Sequence, residues 1–195
     1  MNFQDTQLIG VLARAESTVS SLSSLLGGLV EKFAARGYSL YLVGGSVRDA
    51  LLGRLGNDLD FTTPARPEVV KEILDEWAET VWDTGIDFGT VSAAYKGQQI
   101  EITTFRSDSY DGQSRNPEVV YGDTLEGDLV RRDFKANAMA IELLADASFK
   151  FHDPLHGLQD IADRVLDTPD KPEISFHDDP LRMLRAARFA SQLEF

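Results

Sequence analysis

The 195-residue sequence contains no cysteine, which excludes disulfide bonds, thiolate metal sites and a cysteine nucleophile. It has no apolar run of about 18 residues, the length that a membrane-spanning helix needs. Its N-terminus lacks the basic-then-apolar pattern of a secretory signal, so a cytoplasmic protein is predicted. Positive charge is also scarce: 19 Lys and Arg against 32 Asp and Glu give a net charge of −13. Such a chain is expected to hold a long nucleic acid only weakly.

The remaining composition, 43% hydrophobic and 26% charged, is ordinary for a globular protein. Helical and strand-like patterns alternate without strict order, which predicts an α+β fold whose sheet is covered mainly on one side. After a leader of about 15 residues, helices are expected over residues 16–36, 67–80, 123–142, 155–164 and 178–193. Strands are expected over residues 38–43, 80–83, 88–95, 98–105 and 119–121, with a polar loop at 108–116.

A glycine turn followed by two aspartates lies between residues 42 and 63. An apolar strand leads into Gly44 and Gly45, which open a short helix, and the next strand carries Asp58 and Asp60. Free backbone N–H groups at a helix start attract phosphate. Residues two apart on a strand point to the same side, and adjacent carboxylates are stabilised by a cation such as Mg²⁺. The stretch predicts nucleotide chemistry, against the alternative of a surface loop with two solvated aspartates.

Glu101 is a candidate third carboxylate. Its strand alternates, so its side chain faces away from the two flanking isoleucines. If that strand lies beside the strand of Asp58 and Asp60, three carboxylates around two metal ions would suit phosphoryl or nucleotidyl transfer. Otherwise Glu101 is a solvated strand residue. Ser46 has no plausible base nearby and is predicted to be an N-cap rather than a nucleophile.

Two arginine clusters interrupt the acidic sequence. Arg131 and Arg132 lie at the predicted start of a helix, where solvated charges are the plain alternative. Beside a triphosphate, Arg132 would be a bidentate anchor that lysine could not replace. The other cluster follows Asp178 and consists of Arg182, Arg185 and Arg188.

Asp179 and Arg182 are spaced i, i+3 on the last predicted helix, so their side chains are expected to be neighbours. The plain alternative is a capping acid followed by a helical ion pair. The functional hypothesis is base reading. Cytosine and adenine present an amino donor beside a ring-nitrogen acceptor, which a carboxylate and a guanidinium match, whereas uracil and guanine reverse that order. Arg188 is about half a turn away from Asp179, so geometry supports its participation least.

Taken in order, these motifs resemble those of the class II tRNA nucleotidyltransferases, namely the CCA-adding enzymes and the bacterial poly(A) polymerases. The resemblance covers about residues 25–195. It is carried by Leu-Val-Gly-Gly-Ser-Val-Arg-Asp at 42–49, Asp-Leu-Asp-Phe at 58–61, Glu-Ile-Thr-Thr-Phe-Arg at 101–106, Arg-Arg-Asp-Phe at 131–134 and Asp-Asp-Pro-Leu-Arg-Met-Leu-Arg-Ala-Ala-Arg-Phe at 178–189.

The resemblance implies a polymerase-β-like nucleotidyltransferase head, a mixed β-sheet backed by helices, over residues 25–150. Residues 1–24 would form a leader and the start of the first helix, and residues 151–195 a connector and the first helix of a helical neck. It also implies Mg²⁺ on the catalytic residues Asp58, Asp60 and Glu101. The implied nucleotide-binding residues are Gly44, Gly45, Arg48, Arg132, Asp179, Arg182, Arg185 and Arg188.

The implied reaction transfers CMP and AMP from CTP and ATP to the 3′ end of tRNA, with release of pyrophosphate. A poly(A) polymerase that adds only A is the alternative, because both enzymes share this head. A catalytically silent, truncated fragment that binds a nucleotide or a partner is an alternative of another class. Family members continue into neck, body and tail domains that grip the tRNA. The chain is therefore expected to be an N-terminal portion with a weak grip on tRNA.

Overall fold

A computed structural model describes residues 3–109 and 118–195. Its helices are α1 (Phe3–Ala35), α2 (Gly44–Leu51), α3 (Pro67–Asp75), α4 (Leu125–Val130), α5 (Gly157–Asp163), α6 (Pro172–Asp178) and α7 (Leu181–Leu193). Its strands are β1 (Leu40–Val43), β2 (Asp58–Thr63), β3 (Thr80–Trp82), β4 (Thr90–Tyr95), β5 (Gln98–Thr104), β6 (Arg106–Ser109), β7 (Glu118–Tyr121), β8 (Ala140–Leu143) and β9 (Phe149–His152). Short 3₁₀ turns span Ile86–Phe88 and Lys135–Asn137.

Seven of these strands form one sheet, in the order β3-β4-β5-β2-β1-β8-β9. Strands β2 and β5 run parallel, and the other neighbours in this sheet are antiparallel. Strands β6 and β7 pair separately as a hairpin-like ribbon. The sheet is therefore mixed and carries helices, which confirms the predicted α+β class.

The main hydrophobic core lies on one face of this sheet, called here the back face. Alternate residues of the central strands, including Leu42, Phe61 and Ile102, pack there against α1 and α3. The opposite face, called the front face, carries a smaller apolar cluster under α4, which contains Val43 and Leu129. Within the described ranges, no helix is both long and apolar enough to cross a lipid bilayer.

Helix α1 begins at Phe3, not at residue 16 as predicted. Its first half has a surface to pack on, because Val11 is buried in the main core and the Arg14 side chain lies against Gly53. Most of the loop predicted at 108–116 lies outside the described residues. The strand predicted after it is β7.

The helix predicted over residues 123–142 was wrong in its second half. Helix α4 ends at Val130, a 3₁₀ turn follows, and residues 140–143 form β8 between β1 and β9. Asp133 diverts the chain, because its carboxylate accepts hydrogen bonds from the Phe134 backbone N–H and from the Asn137 amide, both at 2.9 Å. Pairing with β1 then outweighs the helical propensity of an alanine-rich segment.

Gly157 is required by a close backbone contact at the start of α5. Asp153 caps this helix by accepting from the backbone N–H groups of Gly157 and Leu158 at 2.7 and 3.0 Å. A Cβ at position 157 would lie 2.1 Å from the Lys135 carbonyl oxygen, so α5 and the 3₁₀ turn touch directly.

We expect Gly157→Ala to destabilise the protein by about 1–3 kcal/mol, because the clash is with backbone that has to shift. The melting temperature should fall by roughly 5 °C. Gly27→Ala is the matched control: no atom lies within 4 Å of its added methyl group, and alanine favours the helix by about 0.5–1 kcal/mol. Equal melting temperatures for the two variants would contradict the assigned contact.

Candidate active site

The predicted carboxylates lie together on the front face of the sheet. Asp58 and Asp60 alternate along β2 with Leu59 and Phe61, which are buried in the back-face core. Glu101 is the register partner of Asp60 across the parallel β2–β5 pair. The condition that the sequence left open, adjacency of the two strands, is therefore met.

Charge crowding at this point shows in the pKa of Asp60. Loss of hydration around its carboxyl group raises the pKa, and the neighbouring charges of Glu101 and Asp58 raise it further. Arg132 and Arg48 act in the opposite direction without cancelling the effect. The site holds more negative charge than its own arginines neutralise.

Across residues 3–109 and 118–195, no group of three or more His, Cys, Asp or Glu side chains converges closely enough to hold a metal ion. The donor set nevertheless suits a divalent cation, since carboxylate oxygens are the ligands that Mg²⁺ prefers. The raised pKa of Asp60 indicates repulsion that a cation would relieve. The chemistry and charge of these residues therefore fit a hard divalent ion, although their side chains do not converge on one point.

Ser46 connects the glycine turn to the carboxylate strand. Its hydroxyl oxygen accepts from the Asp60 backbone N–H at 2.9 Å, and the hydroxyl donates to the Asp58 carbonyl oxygen at 3.4 Å. The N-cap of α2 is Val43 and makes no side-chain capping bond, so the prediction of Ser46 as an N-cap was wrong. The serine instead fixes β2 against the start of α2.

Arg132 lies over Gly44 at the start of α2. Gly44 has φ = +67°, and a Cβ there would come within 2.9 Å of Arg132 Nη1 and 3.8 Å of Asp60 Oδ2. The guanidinium, the bare turn and a carboxylate thus meet in one place. The buried Asp128 carboxylate holds the arginine, pairing with Arg132 Nη2 at 2.9 Å and with Arg131 Nη2 at 2.7 Å.

Burial by itself would raise the pKa of Asp128, but the charges and hydrogen bonds of Arg132 and Arg131 outweigh it and lower the pKa below its usual value. Asp128 is therefore ionised wherever the protein is folded near neutral pH. The sequence contained no signal for this residue, because an aspartate inside a predicted helix is normally solvated.

A chain of polar contacts joins α2 to α7. Arg48 is buried, and its Nη1 donates to the Asn137 side-chain oxygen at 2.6 Å. Asn137 donates to Asp133 Oδ1 at 2.9 Å, and the other Asp133 oxygen accepts from Arg185 Nε at 2.7 Å. Gly45 lies under the Arg48 guanidinium, since a Cβ at position 45 would be 3.4 Å from Arg48 Nη2.

Three of the predicted arginines contact the Phe189 ring. The guanidinium carbons of Arg48, Arg185 and Arg188 lie 5.0, 5.4 and 4.9 Å from its centroid. Arg188 therefore faces the same side of α7 as Arg185, despite its angular distance from Asp179.

The expected side-chain pair of Asp179 and Arg182 was wrong. Asp179 is extended (φ −138°, ψ 98°) and ends α6, while α7 begins after Pro180. Its Oδ1 accepts from the Leu181 backbone N–H at 3.0 Å. Arg182 donates instead to Ser175 Oγ at 2.7 Å and to the Arg131 carbonyl oxygen at 3.1 Å. The two residues are joined through the backbone, by the bond from Arg182 N–H to Asp179 O at 3.0 Å.

A cavity of about 480 Å³ lies between α4 and the segment 169–182, within the size range of small-ligand pockets. Arg132 and Arg182 both line it, as do Asp178 and the exposed side chains of Val130 and Ile174. Members of both predicted arginine clusters thus line the same partly apolar cavity.

Comparison with known proteins places these features in a family. The model of the poly(A) polymerase head domain matches residues 40–167. The CCA-adding enzyme of Listeria innocua is 44% identical over 168 residues, which are 86% of this chain and 41% of that protein. The chain thus spans less than half the length of this curated relative.

Two solved structures are similar in fold. The crystal structure of the Bacillus stearothermophilus CCA-adding enzyme in complex with CTP has a TM-score of 0.72 and 38% identity, covering 89% of this chain and 40% of that one. A tRNA nucleotidyltransferase complexed with a primer tRNA and an incoming ATP analog has a TM-score of 0.70 and 32% identity, covering 91% and 45%. Because the family model matches residues 40–167, well over half of the sequence, the chain belongs to the poly(A) polymerase head-domain family.

Proposed function

We propose that this chain carries the catalytic head of an RNA 3′-end nucleotidyltransferase, which adds CMP and AMP from CTP and ATP to the 3′ end of tRNA. The observation that carries the proposal is the meeting of Arg132, Gly44 and Asp60 beside Glu101. Similar proteins that are solved with CTP and with a primer tRNA support it. The proposal includes a cytoplasmic location, a head over residues 25–150 and a connector with the start of a neck over 151–195.

In the proposed reaction the RNA 3′-hydroxyl loses its proton to water, and its oxygen bonds to the α-phosphorus of the nucleotide. The bond from that phosphorus to the bridging oxygen breaks, and pyrophosphate leaves with the electron pair. Asp58, Asp60 and Glu101 would hold Mg²⁺, which supplies Lewis-acid activation of the hydroxyl and neutralises charge on the leaving group. Ser46 keeps the two β2 carboxylates in register with the phosphate turn.

The phosphates would bind where backbone N–H groups and guanidiniums converge. The start of α2 at Gly44 and Gly45 has no side-chain cap, and Arg132, two residues after the end of α4, approaches it. Asp128 orients Arg132 while leaving its second Nη directed at Gly44. Arg48 would act from the α2 side, held by Asn137.

The base would lie in the cavity that Arg132 and Arg182 share. Asp179 and Arg182 remain its proposed readers, now as two separately held groups rather than as a helical ion pair. Arg182 lines the cavity, whereas Asp179 directly follows the lining residue Asp178 without lining the cavity itself. Arg185 and Arg188 would support that site from α7 through Phe189. A carboxylate acceptor beside a guanidinium donor would select cytosine and adenine.

Addition of A alone is the second candidate, favoured by the match to the poly(A) polymerase head. Incubating this chain, and a longer protein that includes the further domains of its relatives, with tRNA lacking its 3′ end separates the two. Incorporation from both CTP and ATP is expected for the proposed function, whereas adenylate tails without C would favour the second. No incorporation by either protein would leave a silent nucleotide-binding fragment. We expect the longer protein to be more active, because a chain of net charge −13 grips tRNA weakly.

We expect Gly44→Ala to weaken CTP binding roughly tenfold or more, because the added methyl group displaces the Arg132 guanidinium and a charged hydrogen bond to phosphate is lost. Calorimetric titration measures the dissociation constant. Gly97→Ala is the matched control: it has a similar positive φ of 78°, but nothing lies within 4 Å of its added carbon. Equal CTP affinity in both variants would refute a phosphate site at this turn.

A further inference from the structure

Arg182 is held at two points by groups outside its own helix. Its Nη1 donates to the hydroxyl oxygen of Ser175 on α6 at 2.7 Å, and its Nη2 donates to the Arg131 carbonyl oxygen at the end of α4 at 3.1 Å. Ser175 is 3% exposed, so water cannot easily replace its hydroxyl as a partner. A long, flexible side chain is thereby given one orientation.

Ser175 also fixes Asp179. Its carbonyl oxygen accepts from the Asp179 backbone N–H at 3.3 Å, where α6 ends and the chain turns extended. One buried serine thus holds the backbone of the carboxylate residue and the side chain of the guanidinium residue.

We propose that Ser175 is a positioning residue for base discrimination, which sets the guanidinium of Arg182 at a fixed place and angle in the cavity. This inference rests on the proposed function, in which Asp179 and Arg182 read the base. Ser175 itself lines the cavity but acts through Arg182, by accepting its Nη1 hydrogen.

Fixing the guanidinium matters because rejection of the wrong base depends on rigidity. A free arginine could rotate to donate to a carbonyl oxygen of uracil instead of the ring nitrogen of cytosine, so binding would become permissive. An arginine with two N–H groups already engaged has three of its five donors left, all in one plane. A base with the reversed pattern then leaves buried polar groups unpaired.

The second anchor ties the base site to the phosphate site. The Arg131 carbonyl that accepts from Arg182 belongs to the residue next to Arg132, the proposed phosphate ligand. Arg182 and Arg132 are thus both attached to the C-terminal end of α4, where free carbonyl groups favour cations. The distance between the base reader and the phosphate anchor is set by this helix end.

The test measures the dissociation constants of CTP and UTP for the whole 195-residue chain by calorimetry. We expect Ser175→Ala to lower the preference for CTP over UTP about tenfold, the effect of losing one charged hydrogen bond. Ser175→Thr keeps the hydroxyl and should keep the preference. Ser175→Cys, of similar size but a poor acceptor, should behave like alanine. Ser191→Ala, on the exposed side of α7, is the control and should match the wild type.

Three results would overturn the inference. If Ser175→Ala keeps the preference while Arg182→Ala loses it, Arg182 reads the base without the serine, and the proposed function stands. If Arg182→Ala also keeps the preference, the base reader of the proposed function fails together with the inference. If threonine and alanine at position 175 reduce the preference equally, packing and not the hydroxyl is responsible. Unchanged melting temperatures establish that each variant is folded.

Discussion

Asp60→Asn is expected to reduce nucleotide incorporation about a thousandfold and to leave the protein folded. The substitution removes one charge from the carboxylates proposed to hold Mg²⁺, and several kcal/mol of transition-state stabilisation correspond to a loss of that size. The neighbouring Glu101 and Asp58 charges disfavour an ionised Asp60. Removing that charge relieves repulsion, so in the absence of metal the melting temperature should stay constant or rise slightly.

The measurement is incorporation of labelled CMP or AMP into tRNA lacking its 3′ end, with a thermal melt of the same samples. Asp58→Asn should have the same effect. Asp123→Asn, whose carboxylate is 94% exposed, is the control and should retain activity. Residual activity at more than a tenth of the wild-type level in the Asp58→Asn, Asp60→Asn double variant would rule out metal-assisted transfer at this site.

Asp128→Asn is expected to cost about 3 kcal/mol of stability or more. The carboxylate side chain is fully buried and pairs with two arginines, and removing one partner of a buried ionic group leaves uncompensated charge. A chain of this length should lose roughly 10 °C in melting temperature. Asp75→Asn breaks the exposed i, i+4 pair with Lys71 and should cost only about 0.3–0.5 kcal/mol.

The same residue predicts a pH dependence. Because Arg132 and Arg131 lower the pKa of Asp128 in the folded protein, its stabilising contribution is complete above about pH 4, the usual value of an unfolded aspartate. That contribution disappears as the pH falls from there through the lowered pKa. Urea unfolding of the wild type and of Asp128→Asn should therefore give free energies that converge as the pH falls below about 4. A constant gap would contradict the assigned pairing.

Local sequence rules predicted the local geometry of the candidate site. Strand alternation placed Asp58 and Asp60 together, and the glycine turn identified the end of α2 that we propose to bind phosphate. The partnership of Asp60 with Glu101 could only be stated conditionally, because parallel pairing joins segments that have no local signal for each other. The register between strands that are distant in the sequence could not be predicted from the sequence.

The errors have identifiable causes. The helix assumed through Asp179 ignored Pro180, and a residue before proline is pushed out of the helical region, as the observed extended conformation shows. The helix assumed through residues 131–140 ignored the capacity of Asp133 to bond nearby backbone. Ser175 and Asp128 carried no sequence signal, because both depend on burial beside their arginine partners, and burial of a polar residue is not visible in the sequence.

The parallel pairing of β2 and β5 has a consequence for how the protein folds. Thr62 and Thr103, which are 41 residues apart in the sequence, are joined across this pair by a hydrogen bond of 2.9 Å. The β4–β5 hairpin needs only a tight turn at Lys96 and Gly97, so it can form early, whereas docking β5 onto β2 must first close a long loop. The carboxylates of Asp60 and Glu101 therefore come together late, and a kinetic intermediate with hairpins but no metal affinity is expected. Recovery of Mg²⁺-dependent nucleotide binding during refolding should lag behind recovery of secondary structure.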